Sequence, residues 1–170
     1  MAHNGIVVRD PAQTMKLYGQ TVSNDGGQVF KTDPTQLEQI QPGGESSLDG
    51  ILRFQDDSAF TYALGDATRA YDPARVTLAQ RDFVYLRDTT RPHPVIVIFD
   101  RVGATQASFD KAFLLHTVAK PTLSGKLATA VNGAGRLSSL TLFPTNASLT
   151  LVGGAGKEYW VDGQNHPPTS

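Results

Sequence analysis

The chain has 170 residues, 39% of them apolar, with 15 basic side chains set against 16 acidic ones. That is enough for one folded domain with its own core, and the balanced charge excludes a chain held open by self-repulsion. A net charge of -1 gives no electrostatic case for nucleic acid or an anionic membrane, and the absence of cysteine removes disulfides, thiolate nucleophiles and cysteine zinc sites.

In chain order, Ile6-Val7-Val8 is a β-branched run closed by Asp10-Pro11, so a short strand is expected there. No basic n-region and no long apolar core of a signal peptide precede it. No apolar run approaches the ~20 residues of a membrane span. Residues 15–22, "MKLYGQTV", alternate weakly and suggest a second strand. Residues 23–47 are rich in Gly, Asp, Ser, Gln and Pro and read as loop, with one helical turn expected in "TDPTQLEQI".

From residue 48 the texture changes. "LDGILRFQDD" and "AFTYALGDATRAY" carry short apolar runs between Gly and Asp. In "RVTLAQRDFVYLRD" (75–88), Val76, Leu78 and Gln80 share one parity while Phe83 and Tyr85 take the other, which predicts a bulge near 80–82. "VIVIF" (95–99) is a continuous apolar run, the pattern of a strand buried on both faces. "FDKAFLLHTVAKP" (109–121), "GRLSSLTLFP" (135–144), "SLTLVG" and "KEYWVDG" continue the strand series, and "QNHPPTS" (164–170) reads as a loose tail. Such spacing argues an all-β fold, an antiparallel β-sandwich, in a single domain over 1–170.

Chemistry-bearing patterns are sparse. The chain has no Walker loop, GxSxG or HExxH. "GGAG" (153–156) reads as a tight turn. The histidines His3, His93, His116 and His166 are far apart in sequence. His93 sits in a turn, and His116 reads as a hydrogen-bonded histidine in or beside the core. Asp100-Arg101, after "VIVIF", reads as a structural acid–base pair. Asp56, Asp57 and Asp82 are carboxylates in or beside strands with nothing to pair them. Tyr159 and Trp160 are strand neighbours pointing to opposite faces, so one ring fills the core while the other can offer a stacking surface. Asn146-Ala147-Ser148 fits a glycosylation sequon by chance. Composition and spacing alone give an all-β domain and no catalytic set.

The blocks "YALGDATRAY", "FVYLRDTTRPHPVIVIFDRV", "FDKAFLLHTV", "GRLSSLTLFP" and "GGAGKEYWVDGQNHPP", in that order, resemble the C-terminal β-sandwich region of heparinase II/III-type polysaccharide lyases. The resemblance runs from about residue 2 to 166. It implies a bacterial, periplasmic or secreted parent that cleaves uronic-acid polysaccharides, glycosaminoglycans among them, by β-elimination. A base removes the C5 proton, the uronate carboxylate is neutralised, and the 4-linked sugar leaves. The family's catalytic Tyr, His and Asn residues come mostly from an N-terminal toroid, and a structural zinc is held by two histidines and an aspartate. "AHNGIVV" matches the last zinc histidine's motif, so the resemblance places His3 at that position. The other ligands, the toroid and the first strands would lie upstream of Met1. The resemblance therefore implies a partial supersandwich lacking its first strands, with an incomplete zinc site and no cofactor of its own.

Three functions follow as expectations. The first is a lyase sandwich that is scaffold and cleft wall, inactive alone, with no catalytic residue carried over. The second is a free-standing module for acidic polysaccharide, using Arg81, Arg87, Arg91 or Tyr159. "RDFVYLRDTTR" supplies three arginines in eleven residues, offset by Asp82 and Asp88. The third is an interaction protein with an open sheet edge. A sandwich without its first strands exposes apolar surface, so a homo-oligomer or association with a missing N-terminal lyase region is expected. Tyr62, Tyr85 and His116 are the only candidates for an independent elimination site.

Overall fold

A computed structural model describes residues 4–17, 20–23, 26–28, 50–87, 90, 93–161 and 164–165. His3, Arg91, His166, the expected helical turn, and most of the 23–47 loop and the tail lie outside them. The fold is all-β and antiparallel, as the strand spacing predicts. The only helical piece among the described residues is a 3-10 turn at Thr68–Ala70, and no helix is long and apolar enough to cross a membrane.

The chain divides into two compact units, residues 6–112 and residues 1–5 with 113–170. The first holds β1 (Ile6–Arg9), β2 (Thr14–Leu17), β3 (Gln20–Ser23), β4 (Gly50–Asp56), β5 (Phe60–Asp66), β6 (Val76–Leu86), β7 (Val95–Ala104) and β8 (Asp110–Phe113), whose last residue crosses into the second unit. Strands β4, β5, β6 and β7 form a four-stranded antiparallel meander, β1 pairs with β8, and β2 with β3. The turns explain the meander. Between β4 and β5, the Asp57 carboxylate accepts the Ala59 and Phe60 amides and folds the chain back.

Opposed residues share a face, so the register assigns side chains. One face carries the rows Phe54–Ala63–Phe83–Ile98 and Asp56–Thr61–Tyr85–Ile96; the other carries Gln55–Tyr62–Val84–Val97 and Arg53–Leu64–Asp82–Phe99. At one end of the first face, Val8, Ala70, Tyr71, Val76, Ala79 and Phe109 form the buried core, with Ile6, Val102 and Ala104 against it. This is the sandwich contact: β1 lies over one end of the meander. Burying a side chain such as Val8 in full contributes about 1.5–3 kcal/mol.

Two sequence expectations shift here. The β6 irregularity lies between Val76 and Leu78, not near 80–82. The bulge turns Val76 onto the same face as Ala79 although they are three apart, and both are buried. Only Val76 is thereby brought onto the face of Phe83 and Tyr85; β6 runs regularly through 80–82, and Leu78 and Gln80 stay on the opposite face. Nor is "VIVIF" buried on both faces: Ile96, Val97, Ile98 and Phe99 are 53%, 44%, 42% and 52% exposed. They lie on β7, an outer strand of the sheet, where the described residues place no layer over them.

The second unit holds β9 (Thr122–Ser124), β10 (Leu127–Asn132) and β11 (Gly135–Leu140) in one sheet, and the short pair β12 (Trp160–Val161) and β13 (Gln164–Asn165). The β10–β11 hairpin turns through Gly133-Ala134, between the paired Asn132 and Gly135, with Gly133 at φ 59°. Residues 148–152, expected as a strand, are not one, and residues 114–121 leave the strand expected over 109–121 after Phe113.

Candidate functional site

The sheet's chemistry gathers where β6 meets β7. Arg81-Asp82 on β6 lies against Asp100-Arg101 on β7, an acid–base dipeptide facing its reverse. Because neighbours alternate, each face receives one ion pair. Arg81 grips Asp100 with two bonds, Nε to Oδ1 at 2.7 Å and Nη2 to Oδ2 at 3.0 Å. On the other face Arg101 Nη2 lies 3.3 Å from Asp82 Oδ2. The structural pairing expected of Asp100-Arg101 is present, within β7 rather than at its end.

Asp82 does a second thing. Its Oδ1 accepts the Tyr62 hydroxyl at 2.6 Å from the neighbouring strand. This bond to a carboxylate raises the Tyr62 phenol above its ordinary pKa of 10.0, with loss of solvent and the Asp82 charge acting the same way and Arg53 and Arg101 opposing. Tyr62 therefore holds its proton at neutral pH. Replacing Asp82 with asparagine is expected to lower the Tyr62 pKa toward 10.0, read by ultraviolet titration of the phenolates against a Tyr62→Phe control. An unchanged titration would mean that Asp82 does not hold this proton.

Tyr85 stands on the opposite face, with the Arg87 guanidinium 5.9 Å from its ring centre. Arg87 is committed to its own strand neighbours. Its Nη2 donates to Asp56 Oδ1 at 2.6 Å and Thr61 Oγ1 at 2.5 Å, and Nη1 donates to the Asp57 carbonyl. The Thr61 hydroxyl, followed by Arg87, holds the Asp56 carboxyl below its ordinary value. Asp66, at the far end of β5, is pushed up by burial, but hydrogen bonds from Gln80 and Thr68 outweigh this and leave it lowered.

In the other unit His116 is exposed rather than in or beside a core. Its backbone amide donates to Asn4 Oδ1 at 2.7 Å and its Nδ1 lies 3.0 Å from the same oxygen. Asn4 thereby ties the start of the chain to the segment after β8. Tyr159 is 53% exposed, and its amide donates to Asn165 Oδ1 at 2.8 Å. Lys157 Nζ sits 4.6 Å from the ring centre of half-buried Trp160. The "GGAG" segment is the turn expected, closed by Lys157 N–H to the Gly154 carbonyl at 2.8 Å.

The structure thus places Arg87 in the meander unit and Tyr159 in the other, while Arg91 and His3 fall outside the described residues. Among the described residues, no three His, Cys, Asp or Glu side chains gather to hold a metal. The two-histidine, one-aspartate zinc set is therefore not made up by them. Sequence reasoning did not foresee the Tyr62–Asp82–Arg101 group. The signal was present in the reversed dipeptides Arg81-Asp82 and Asp100-Arg101, but using it required the register. No family model matches this chain, and no curated protein matches it.

Proposed function

We propose that the chain serves as the C-terminal β-sandwich of a heparinase II/III-like polysaccharide lyase, acting as scaffold and one wall of the substrate cleft without supplying the base for elimination. The ordered sequence blocks support the family reading, and the antiparallel all-β fold agrees with it. The observation that carries the non-catalytic part is the separation of the phenols. Tyr62 and Tyr85 occupy opposite faces of one sheet, so no single sugar ring can meet both. The Tyr62 hydroxyl also donates a hydrogen bond to Asp82 and keeps its proton, which makes it a poor base for a C5 proton. Arg87, spent on Asp56, Asp57 and Thr61, acts as a clamp between β5 and the end of β6.

A second reading, an acidic-glycan-binding module, has one observation in its favour: the Lys157 ammonium over the half-buried Trp160 ring, next in sequence to the exposed Tyr159. Retention on immobilised heparin at low salt, with a salt gradient, separates the two. The scaffold reading expects elution with the unretained fraction. Retention that falls as salt rises and is lost in Tyr159→Ala would favour the glycan module instead.

A further inference from the structure

The meander has two outer strands, and they are not alike. Strand β4 carries Arg53 at its centre, Asp56 at its end and a register shift between Ile51 and Arg53. A charge and a bulge on an edge both discourage pairing. Strand β7 is regular against β6 from Val95 to Val102, its only shift lying beyond, where Gly103 and Ala104 face Leu78 and Val76. Its backbone bonds run only to β6 among the described residues, and four consecutive apolar side chains on it are exposed on both faces. A regular, apolar, unpaired edge is a template for another strand.

The sequence of that edge decides which strand fits. When two copies of β7 pair antiparallel about a two-fold axis normal to the sheet, each face must continue into the same face of the partner. The axis therefore passes between a residue and its own copy. An axis at Ile98 sets Ile96 against Asp100 and Val95 against Arg101, and one at Phe99 sets Ile98 against Asp100. Axes at Asp100 or Arg101 oppose like charges, which is destabilising. An axis at Ile96 brings Pro94, which has no N–H, into the ladder. An axis at Val97 sets Val97 on Val97, Ile96 on Ile98 and Val95 on Phe99, every pair apolar, with Pro94 closing the ladder before the charges meet.

We propose that this protein dimerises through β7, two copies pairing antiparallel about Val97 to join two four-stranded meanders into one eight-stranded sheet. The inference rests on the sheet edge and is independent of the lyase reading. A five-residue ladder covers less than the ~1,200–2,000 Å² of a standard interface, so an affinity in the roughly micromolar range is expected.

Light scattering on the full chain across a concentration series tests it. The native protein and Ile51→Lys, a change on the other edge, are expected to pass from monomer to dimer together. Val97→Lys, which opposes two like charges, is expected to raise the dissociation constant at least ~10-fold, with a circular dichroism spectrum matching the native one. As a measurement free of that fold requirement, Val97→Cys in this cysteine-free chain is expected to oxidise to a covalent dimer and Ile51→Cys to stay monomeric. A native chain that stays monomeric throughout, or a Val97→Cys chain that crosslinks no faster than Ile51→Cys, would overturn the proposal.

Discussion

Replacing Gly26 with alanine is expected to destabilise the 6–112 unit by more than about 2 kcal/mol. Gly26 lies against β1, where its carbonyl accepts the Val8 amide at 2.9 Å. Its φ of +81° is in the region that side chains disfavour, and a Cβ there would sit 2.4 Å from the Val8 oxygen, 2.6 Å from the Val8 carbon and 2.9 Å from the Arg9 nitrogen. All three are backbone atoms of β1, so no side chain can swing aside. Either the Val8 bond breaks or β1 moves off the core that Val8 fills. Urea unfolding followed by circular dichroism should show a clearly lower midpoint for Gly26→Ala, and an unchanged midpoint would mean that this approach is looser than described. Gly5, around whose added Cβ nothing lies within 4 Å, serves as the control.

The second large effect concerns Arg75, which is only 1% exposed. Its Nη1 donates to the Val8 carbonyl at 2.9 Å, and its Nε lies 3.9 Å from Asp72 Oδ2. Its backbone carbonyl accepts the Thr105 amide, so the residue ties β1, the start of β6 and the end of β7 together. Arg75→Ala removes the bond, leaves a buried carbonyl unsatisfied and opens a cavity, at an expected cost of about 3 kcal/mol or more. Arg75→Met fills most of the space with apolar atoms. Because Nε and Nη2 have no hydrogen-bond partner among the described residues, the methionine forfeits the Val8 bond and the long Asp72 ion pair but no further hydrogen bond. Its expected cost is about 1–2 kcal/mol. The order of urea midpoints, native above Met above Ala, is the check. A methionine variant as unstable as the alanine one would show that the charge itself, not the packing, holds β1.

These two positions depend on contacts that local sequence pattern does not carry. The strands from Gly50 to Leu86 were legible because short apolar runs are punctuated by Gly and Asp, and the β1 strand because Asp10-Pro11 closes a β-branched run. Gly26 and Arg75 were not, since the demand on each comes from β1, many residues away in sequence, and local pattern carries no trace of it. "VIVIF" shows the opposite limit. Its hydrophobicity marks a strand, but a continuous apolar run says that both faces seek cover, not what supplies it. In the second unit, "VNGAGR" holds a Gly-led two-residue hairpin signal at Gly133-Ala134, while "SLTLVG" has strand composition without a strand to pair with among the described residues. The Tyr62–Asp82–Arg101 group needed three strands in register before its members could meet.

The register also bears on chemistry. A phenol that removes a C5 proton must be able to lose its own, and Tyr62 is held by Asp82 in the opposite state. Tyr85 faces away from it beside Arg87, and His116 belongs to the other unit, bonded to Asn4. The central claim is that these residues form a wall and not an elimination site.

The most direct measurement is a lyase assay on the purified chain, following ultraviolet absorbance of the unsaturated uronate with heparin, heparan sulfate, alginate and chondroitin, with and without added zinc. The account predicts a flat trace on all four, indistinguishable from boiled protein. A rise that boiling abolishes, and that Tyr62→Phe or Tyr85→Phe removes, would contradict it and place a complete elimination site within these residues.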